Sequence, residues 1–208
     1  MKSGFTLIEM LVVIGIILVL LGGSITGFSK MAKSAERARA QELVKNVETA
    51  LTVLYQRDGS WPQKLLNKSG QQLDEETAVV LAKKKLFSLS TGGSGSELKL
   101  VGQDRFGIVT PWATAVIKRS PKNASAESMK IGSATVRDHT LYFAVDKNGD
   151  GIIDQSEGMT VPGVEFVRAT AAVWSIGKSG GDKGKMWPYS QGRRRDDVYS
   201  FTYGQTQK

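Results

Sequence analysis

The 208-residue chain contains no cysteine and one histidine. Without cysteine there are no disulfides and no thiolate metal sites, so any loop that needs holding requires another device. A formal charge of +8 admits a nucleic-acid partner in principle. The basic residues are scattered, however, and their only dense run, Arg193–Arg195, comes with no helix-turn-helix or zinc-finger pattern. No nucleic-acid partner is expected, and that run reads as a solvated loop or a contact with acidic neighbours. Two catalytic motifs fail. Gly177-Lys178-Ser179 lacks the earlier glycine of a phosphate loop, because Ala172 stands there. Gly177-Lys178-Ser179-Gly180-Gly181 matches a nucleophile elbow, but the following Asp182–Pro188 cannot form the helix that an elbow needs. His139 lies beside a strand and reads as a surface or edge residue rather than a base. These residues point away from an enzyme.

Against these absences stands one long apolar run. A short basic leader, residues 1–4, ends in Gly4, and the 24 residues Phe5–Phe28 follow with one carboxylate, Glu9. About 20 apolar residues cross a bilayer as a helix. A secretory signal has a small-residue cleavage site after its apolar core. Here the small residue, Gly4, precedes the core, so cutting there leaves the whole helix on the mature chain. A carboxylate at the centre of a membrane helix costs about 2.5–3.5 kcal/mol and less near the edge, so Glu9 is either tolerated at the edge or retained for a function.

The string Lys2-Ser-Gly-Phe-Thr-Leu-Ile-Glu9-Met-Leu-Val-Val-Ile-Gly-Ile-Ile-Leu18 resembles the signal of type IV pilins and type II secretion pseudopilins. The resemblance implies cleavage between Gly4 and Phe5 by a prepilin peptidase and methylation of the new Phe5 terminus. It makes Glu9 an assembly residue, paired in a filament with the free amine of a neighbouring subunit's Phe5. It also implies a single-pass protein of the bacterial inner membrane with its C-terminal domain in the periplasm. Lys30, Lys33, Arg37 and Arg39 follow the apolar run while only Lys2 precedes it, a bias that taken alone puts that domain in the cytoplasm.

Beyond the run, Leu43, Val44, Val47, Ala50, Leu51, Leu54 and Tyr55 recur at three and four residues, the stripe of an amphipathic helix. One helix is predicted from Phe5 to Arg57, its first half (5–28) transmembrane and its second (29–57) laid on a domain at 58–208. Gly22, Gly23 and Gly27 are its weak stretch, suited either to loosening in a filament or to close helix packing. Asp58-Gly59-Ser60-Trp61-Pro62 ends it. A short helix is predicted over 75–87, a loop over 88–96, and strands over 98–101, 113–118, 141–145, 166–176 and 198–203. The fold class is α+β: a pilin-like long helix on a small antiparallel sheet. Asp104-Arg105-Phe106-Gly107 resembles, in part, an aspartate-aromatic-glycine turn of the family.

The segment Asp146–Glu157 fits the calcium-loop pattern D-x-[DN]-x-[DN]-G-x5-E in full. Calcium takes six to eight oxygen ligands, so several carboxylates must converge. Asp146, Asn148, Asp150, Ile152 through its carbonyl, Asp154 and Glu157 are the expected ligands, Gly151 makes the turn, and Ile153 points into the core. A strand before the loop and Met159–Pro162 after it exclude an EF-hand helix pair. Val173–Gly177 and Asp196–Phe201 resemble the C-terminal signature of the major pseudopilin of type II secretion, whose loop there binds calcium. That resemblance makes Asp182, Asp196 and Asp197 candidates for a second or shared calcium. The alternative is a single ion at the Asp146–Glu157 loop, with Asp196 and Asp197 capping a strand.

The reading is a structural subunit of a periplasmic pseudopilus that drives type II protein secretion. It polymerises with itself through N-terminal helices, with other pseudopilins, and on an inner-membrane assembly platform. One alternative is a type IV pilin or minor pilin for adhesion or DNA uptake. Another, of a different class, is a membrane-tethered calcium-binding adhesin or enzyme.

Overall fold

A computed structural model describes residues 6–84, 86, 98–101, 104–120, 124–125, 127–131, 134–161, 164–178 and 197–201, without the side chains of 19–30, 98–101 and 104–106. Gly4, Phe5, Asp182, Asp196, the loop at 88–96 and Arg193–Arg195 lie outside these residues. The chain divides into two compact units, residues 1–38 and 39–208. Helix α1, Leu7–Asp58, begins in the first and ends in the second.

In the first unit the large apolar side chains of α1 from Leu7 to Leu18 are exposed. Among the described residues no helix is long and apolar enough to cross a membrane. Residues 19–28, the second part of the expected span, have side chains outside the description, as do Gly22, Gly23 and Gly27.

In the second unit α1 buries the stripe expected of it: Leu43, Val44, Val47, Ala50, Leu51 and Leu54 are at most 5% exposed. Burying each large member contributes about 1.5–3 kcal/mol. The helix stops at Gly59, whose φ of +68° suits glycine, while its N–H donates to the Tyr55 carbonyl at 2.8 Å. The Tyr55 and Trp61 rings stack at 4.9 Å behind this stop. Helix α2, Gln63–Asn67, follows, then α3, Glu75–Lys83, which is capped by Asp74 accepting from the Thr77 N–H at 3.1 Å.

Strands β1, Leu98–Val101, and β2, Asp104–Ile108, pair antiparallel. The Asp104–Gly107 segment is therefore part of a strand rather than a turn. Next comes helix α4, Pro111–Arg119, where the composition predicted a strand. Thr110 as N-cap and Pro111 in the first turn start it, and burial of Trp112, Ala113 and Ile117 follows helical spacing. Strands β3, Lys130–Ile131, and β4, Ala134–Thr135, make a second small antiparallel pair.

The main sheet runs in the order β5, Tyr142–Val145, then β8, Ala171–Ser175, then β9, Val198–Tyr199, all antiparallel. The single strand expected over 166–176 is two. Its first part, β7, Phe166–Arg168, pairs instead with β6, Ile152–Asp154. The break falls at Ala169–Thr170, where the Thr170 carbonyl accepts the Asp146 N–H at 3.0 Å. β5 and β8 are buried on both faces. Phe143, Val145, Ala171 and Val173 join the α1 stripe in one core, and Tyr142, Ala144, Ala172 and Trp174 pack with Ile153, Met159, Val161 and Val167 in another. That double burial is why both strands read as unbroken apolar runs.

The free edge of β5 is covered by the chain after α2. Gly70 and Leu73 donate to the carbonyls of Phe143 and Leu141 at 2.7 and 2.6 Å, and Phe143 donates to the Gln71 carbonyl at 3.2 Å. Ile108 in turn donates to the Leu73 carbonyl at 3.1 Å. A side chain at Gly107 would meet that carbonyl at 1.6 Å, so only glycine lets β2 pass there.

Candidate functional site

β5 delivers Asp146 to the mouth of a tight loop, where it is 4% exposed. Its two carboxylate oxygens accept the N–H groups of Gly149 and Gly151 at 2.6 and 2.8 Å. Both glycines have φ near +80°, which lets the chain wrap around the carboxylate. Asn148 accepts the Asp150 N–H at 2.9 Å and donates to its carboxylate at 3.0 Å. Asp150 also accepts the Ile152 N–H at 2.7 Å, where β6 begins. At the far end Glu157, 5% exposed, reaches back so that one oxygen accepts the N–H groups of Lys147 and Asn148 at 2.7 and 3.1 Å. Its other oxygen, Oε2, is buried with no hydrogen-bond partner among the described residues.

The fold thus brings Asp146, Asp150 and Glu157 together, with one oxygen from each within 4.8 Å of the others. That spacing is about twice a Ca–O distance of 2.3–2.6 Å, so a single ion can touch all three. The donors are all oxygen, which suits a hard cation and not a soft one. Asp154 lies outside this trio. Its carboxylate caps the 3-10 turn Gln155–Glu157, accepting from the Ser156 hydroxyl at 2.6 Å and N–H at 2.8 Å and from the Glu157 N–H at 3.2 Å. The Ser156 hydroxyl, and then these N–H groups, hold its carboxyl below the usual 3.8. Ile153 is fully buried beneath the loop.

The loop is anchored at both ends to the chain that follows α1. The Trp61 indole N–H donates to the Asp146 carbonyl at 2.6 Å. The Ser69 hydroxyl donates to the Glu157 carbonyl at 2.5 Å and accepts the Val145 N–H at 3.0 Å. Gly158 and Gly70, with φ of +109° and +87°, lie backbone to backbone. A Cβ on Gly158 would meet the Gly70 nitrogen at 2.6 Å.

At the N-terminal end of α1, the Glu9 carboxylate accepts the Thr6 N–H and hydroxyl, each at 2.8 Å, and the Glu9 N–H donates to the Thr6 hydroxyl at 3.4 Å. This reciprocal pair is a capping box. Thr6-x-x-Glu9 is its sequence signature, which sequence reasoning passed over by treating Glu9 only as a charge in an apolar run.

Asp197 is 1% exposed and accepts the Gly177 N–H at 2.9 Å and the Tyr199 hydroxyl at 3.1 Å. It therefore ties the end of β8 to β9 by direct bonds. His139 is not a surface residue. It is fully buried in the 3-10 turn Arg137–His139, and its Nδ1 accepts the Trp112 indole N–H at 2.9 Å.

Residues 1–25 match the family described as the prokaryotic N-terminal methylation motif. The chain is type IV pilin-like. It is 23% identical over 145 residues to a fimbrial protein of Neisseria meningitidis, covering 64% of this chain and 85% of that protein. It is 24% identical over 140 residues to a type IV major pilin protein of Neisseria gonorrhoeae, covering 62% of this chain and 78% of that one. No solved structure matches. The long helix and small antiparallel sheets of this pilin-like chain agree with the α+β class expected of it.

Proposed function

We propose that this chain is a membrane-anchored subunit of a helical filament, and specifically of a periplasmic pseudopilus that serves type II protein secretion. One observation carries the filament reading. Leu7, Ile8, Leu11, Ile14 and Leu18 on α1 are 53–84% exposed. Removing each from water is worth about 1.5–3 kcal/mol, so the helix needs a cover that none of the described residues of its own unit provides. Lipid supplies that cover in the stored subunit, and the α1 helices of neighbouring copies supply it in the filament. Cleavage between Gly4 and Phe5 by a prepilin peptidase exposes an amine on Phe5. Glu9 then exchanges its Thr6 cap for the amine of an adjacent subunit, while the cap limits the cost of its carboxylate in the membrane beforehand.

Two sequence features support the secretion branch. The chain has no cysteine with which to staple its C-terminal region. The Val173–Gly177 and Asp196–Phe201 segments resemble those of the major pseudopilin. The names of the two Neisseria proteins favour a second reading, a type IV pilus.

Mass spectrometry of the mature N-terminus tests the whole class. A methylated Phe5 is expected; an intact Met1, or cleavage beyond residue 28, sinks the reading in favour of a tethered adhesin or enzyme. Glu9→Leu should insert in the membrane normally and assemble poorly, and normal filaments would refute the pairing. Deleting the gene in its host separates the branches: loss of secreted proteins supports the pseudopilus, and loss of surface fibres with secretion intact supports the pilus.

A further inference from the structure

We propose that the Asp146–Glu157 loop binds one calcium ion, and that binding fastens the chain at the C-terminal end of α1 to the main sheet. The inference is independent of the filament reading. It rests first on the three carboxylates of Asp146, Asp150 and Glu157, whose oxygens converge within 4.8 Å. Like charges at that range repel, and nothing among the hydrogen bonds of the loop brings a cationic side chain between them. It rests second on Glu157. This side chain is only 5% exposed, yet its Oε2 is buried without a hydrogen-bond partner among the described residues while Oε1 accepts two N–H groups. A buried carboxylate oxygen left unbonded is costly, and a cation in the cluster removes that cost.

Calcium is the cation of choice for this donor set. It accepts six to eight oxygens in a flexible shell, whereas magnesium requires a near-ideal octahedron at about 2.0–2.1 Å. Asn148 and the Ile152 carbonyl are the further oxygens within the loop, and exchanging the Asn148–Asp150 side-chain bond for the ion frees both side chains to bind it.

The mechanical consequence follows from where the two end ligands are tied. The Asp146 carbonyl holds the Trp61 indole, which stacks on Tyr55 in the last turn of α1. The Glu157 carbonyl holds Ser69, and Gly158 lies against Gly70. An ion that draws Asp146 and Glu157 together therefore acts at both ends on the segment 61–70. It fixes by coordination what a cysteine pair would fix covalently in a chain that has none.

The test uses the full-length protein in detergent, stripped with EGTA and titrated calorimetrically with calcium chloride and, separately, magnesium chloride, while tryptophan emission is recorded. We expect saturable calcium binding with a dissociation constant on the order of 10⁻⁴–10⁻³ M or tighter, and weaker binding of magnesium. Asp150 is exposed, so Asp150→Asn should keep the EGTA-state melting curve and lose calcium affinity at least tenfold. Trp61→Phe should keep binding and lose most of the emission change. No saturable calcium heat up to about 10 mM, ten times the weak end of the extracellular range, overturns the site. Equal binding of magnesium overturns the assignment to calcium. Unchanged affinity in Asp150→Asn moves the ion elsewhere in the chain and also overturns the site. Binding that leaves the wild-type emission unchanged overturns the fastening.

Discussion

Gly158→Ala tests the contact on which the loop depends. Two costs add. At φ +109° an alanine is strained, a penalty of about 1–2 kcal/mol. Its Cβ would also stand 2.6 Å from the Gly70 nitrogen and 2.7 Å from the Gly70 Cα and the Ser69 carbonyl carbon, all backbone atoms that cannot rotate away. Parting two packed segments costs about 1–3 kcal/mol. The sum is about 2–5 kcal/mol, which for a chain of this size lowers Tm by roughly 4–20 °C. Gly59→Ala is the control, because φ is +68° there and nothing lies within 4 Å of the added carbon. That variant carries the backbone strain alone and should lose roughly 2–8 °C. Both melts are followed by near-ultraviolet circular dichroism in EGTA, so that no bound cation enters the comparison. A Gly158→Ala melt no lower than that of Gly59→Ala would show that the close approach of residues 70 and 158 contributes nothing to stability.

Gly107→Ala should be worse still, since its Cβ falls 1.6 Å from the Leu73 carbonyl oxygen; soluble expression with a near-native melt would refute the junction of β2, Leu73 and Leu141. Burial pushes the Tyr142 phenol up to about 12 from 10.0, so the folded state keeps a proton that the unfolded state releases. Stability should therefore fall between those values, by a few kcal/mol at most (about 3); Tyr142→Phe should flatten this alkaline limb, and identical limbs would contradict it. Burial raises Asp74, but the Lys68 ammonium and the Thr77 groups outweigh it and leave the carboxyl below 3.8. Stability from this group is present above that value and is lost as pH falls through the lowered one. Asp74→Asn keeps the cap on α3 and should make thermal unfolding less sensitive to acid, as melts from pH 5 down to pH 2 would reveal.

What the sequence displayed and what it hid divide along physical lines. The α1 stripe was legible because three- and four-residue spacing is local. Its stop at Gly59 was legible because glycine tolerates positive φ. The acidic loop was legible because its spacing is short and its glycine positions are fixed. Ala113–Lys118 read as a strand because of its β-branched residues Thr114, Val116 and Ile117; Thr110-Pro111, a helix start, outweighed that composition. Phe166–Ile176 read as one strand because nothing in its composition marks the change of partner at Ala169–Thr170, which depends on Asp146. The contacts that anchor the loop, Trp61 to Asp146 and Ser69 to Glu157, join residues 85 and 88 positions apart. No local pattern carries such a pairing.

The core shared by α1 and the main sheet has a consequence for synthesis. Val173, which packs in that core, lies 119 residues after Leu54. At about 5–20 residues per second, the ribosome needs roughly 6–24 s to make that stretch. Throughout that interval Leu43, Val44, Val47, Leu51 and Leu54 exist without the strands that later cover them. The helix is thus completed as an apolar surface long before it becomes an interior one. Whatever shields it in those seconds, a membrane surface or a chaperone, is a partner that the finished fold no longer displays.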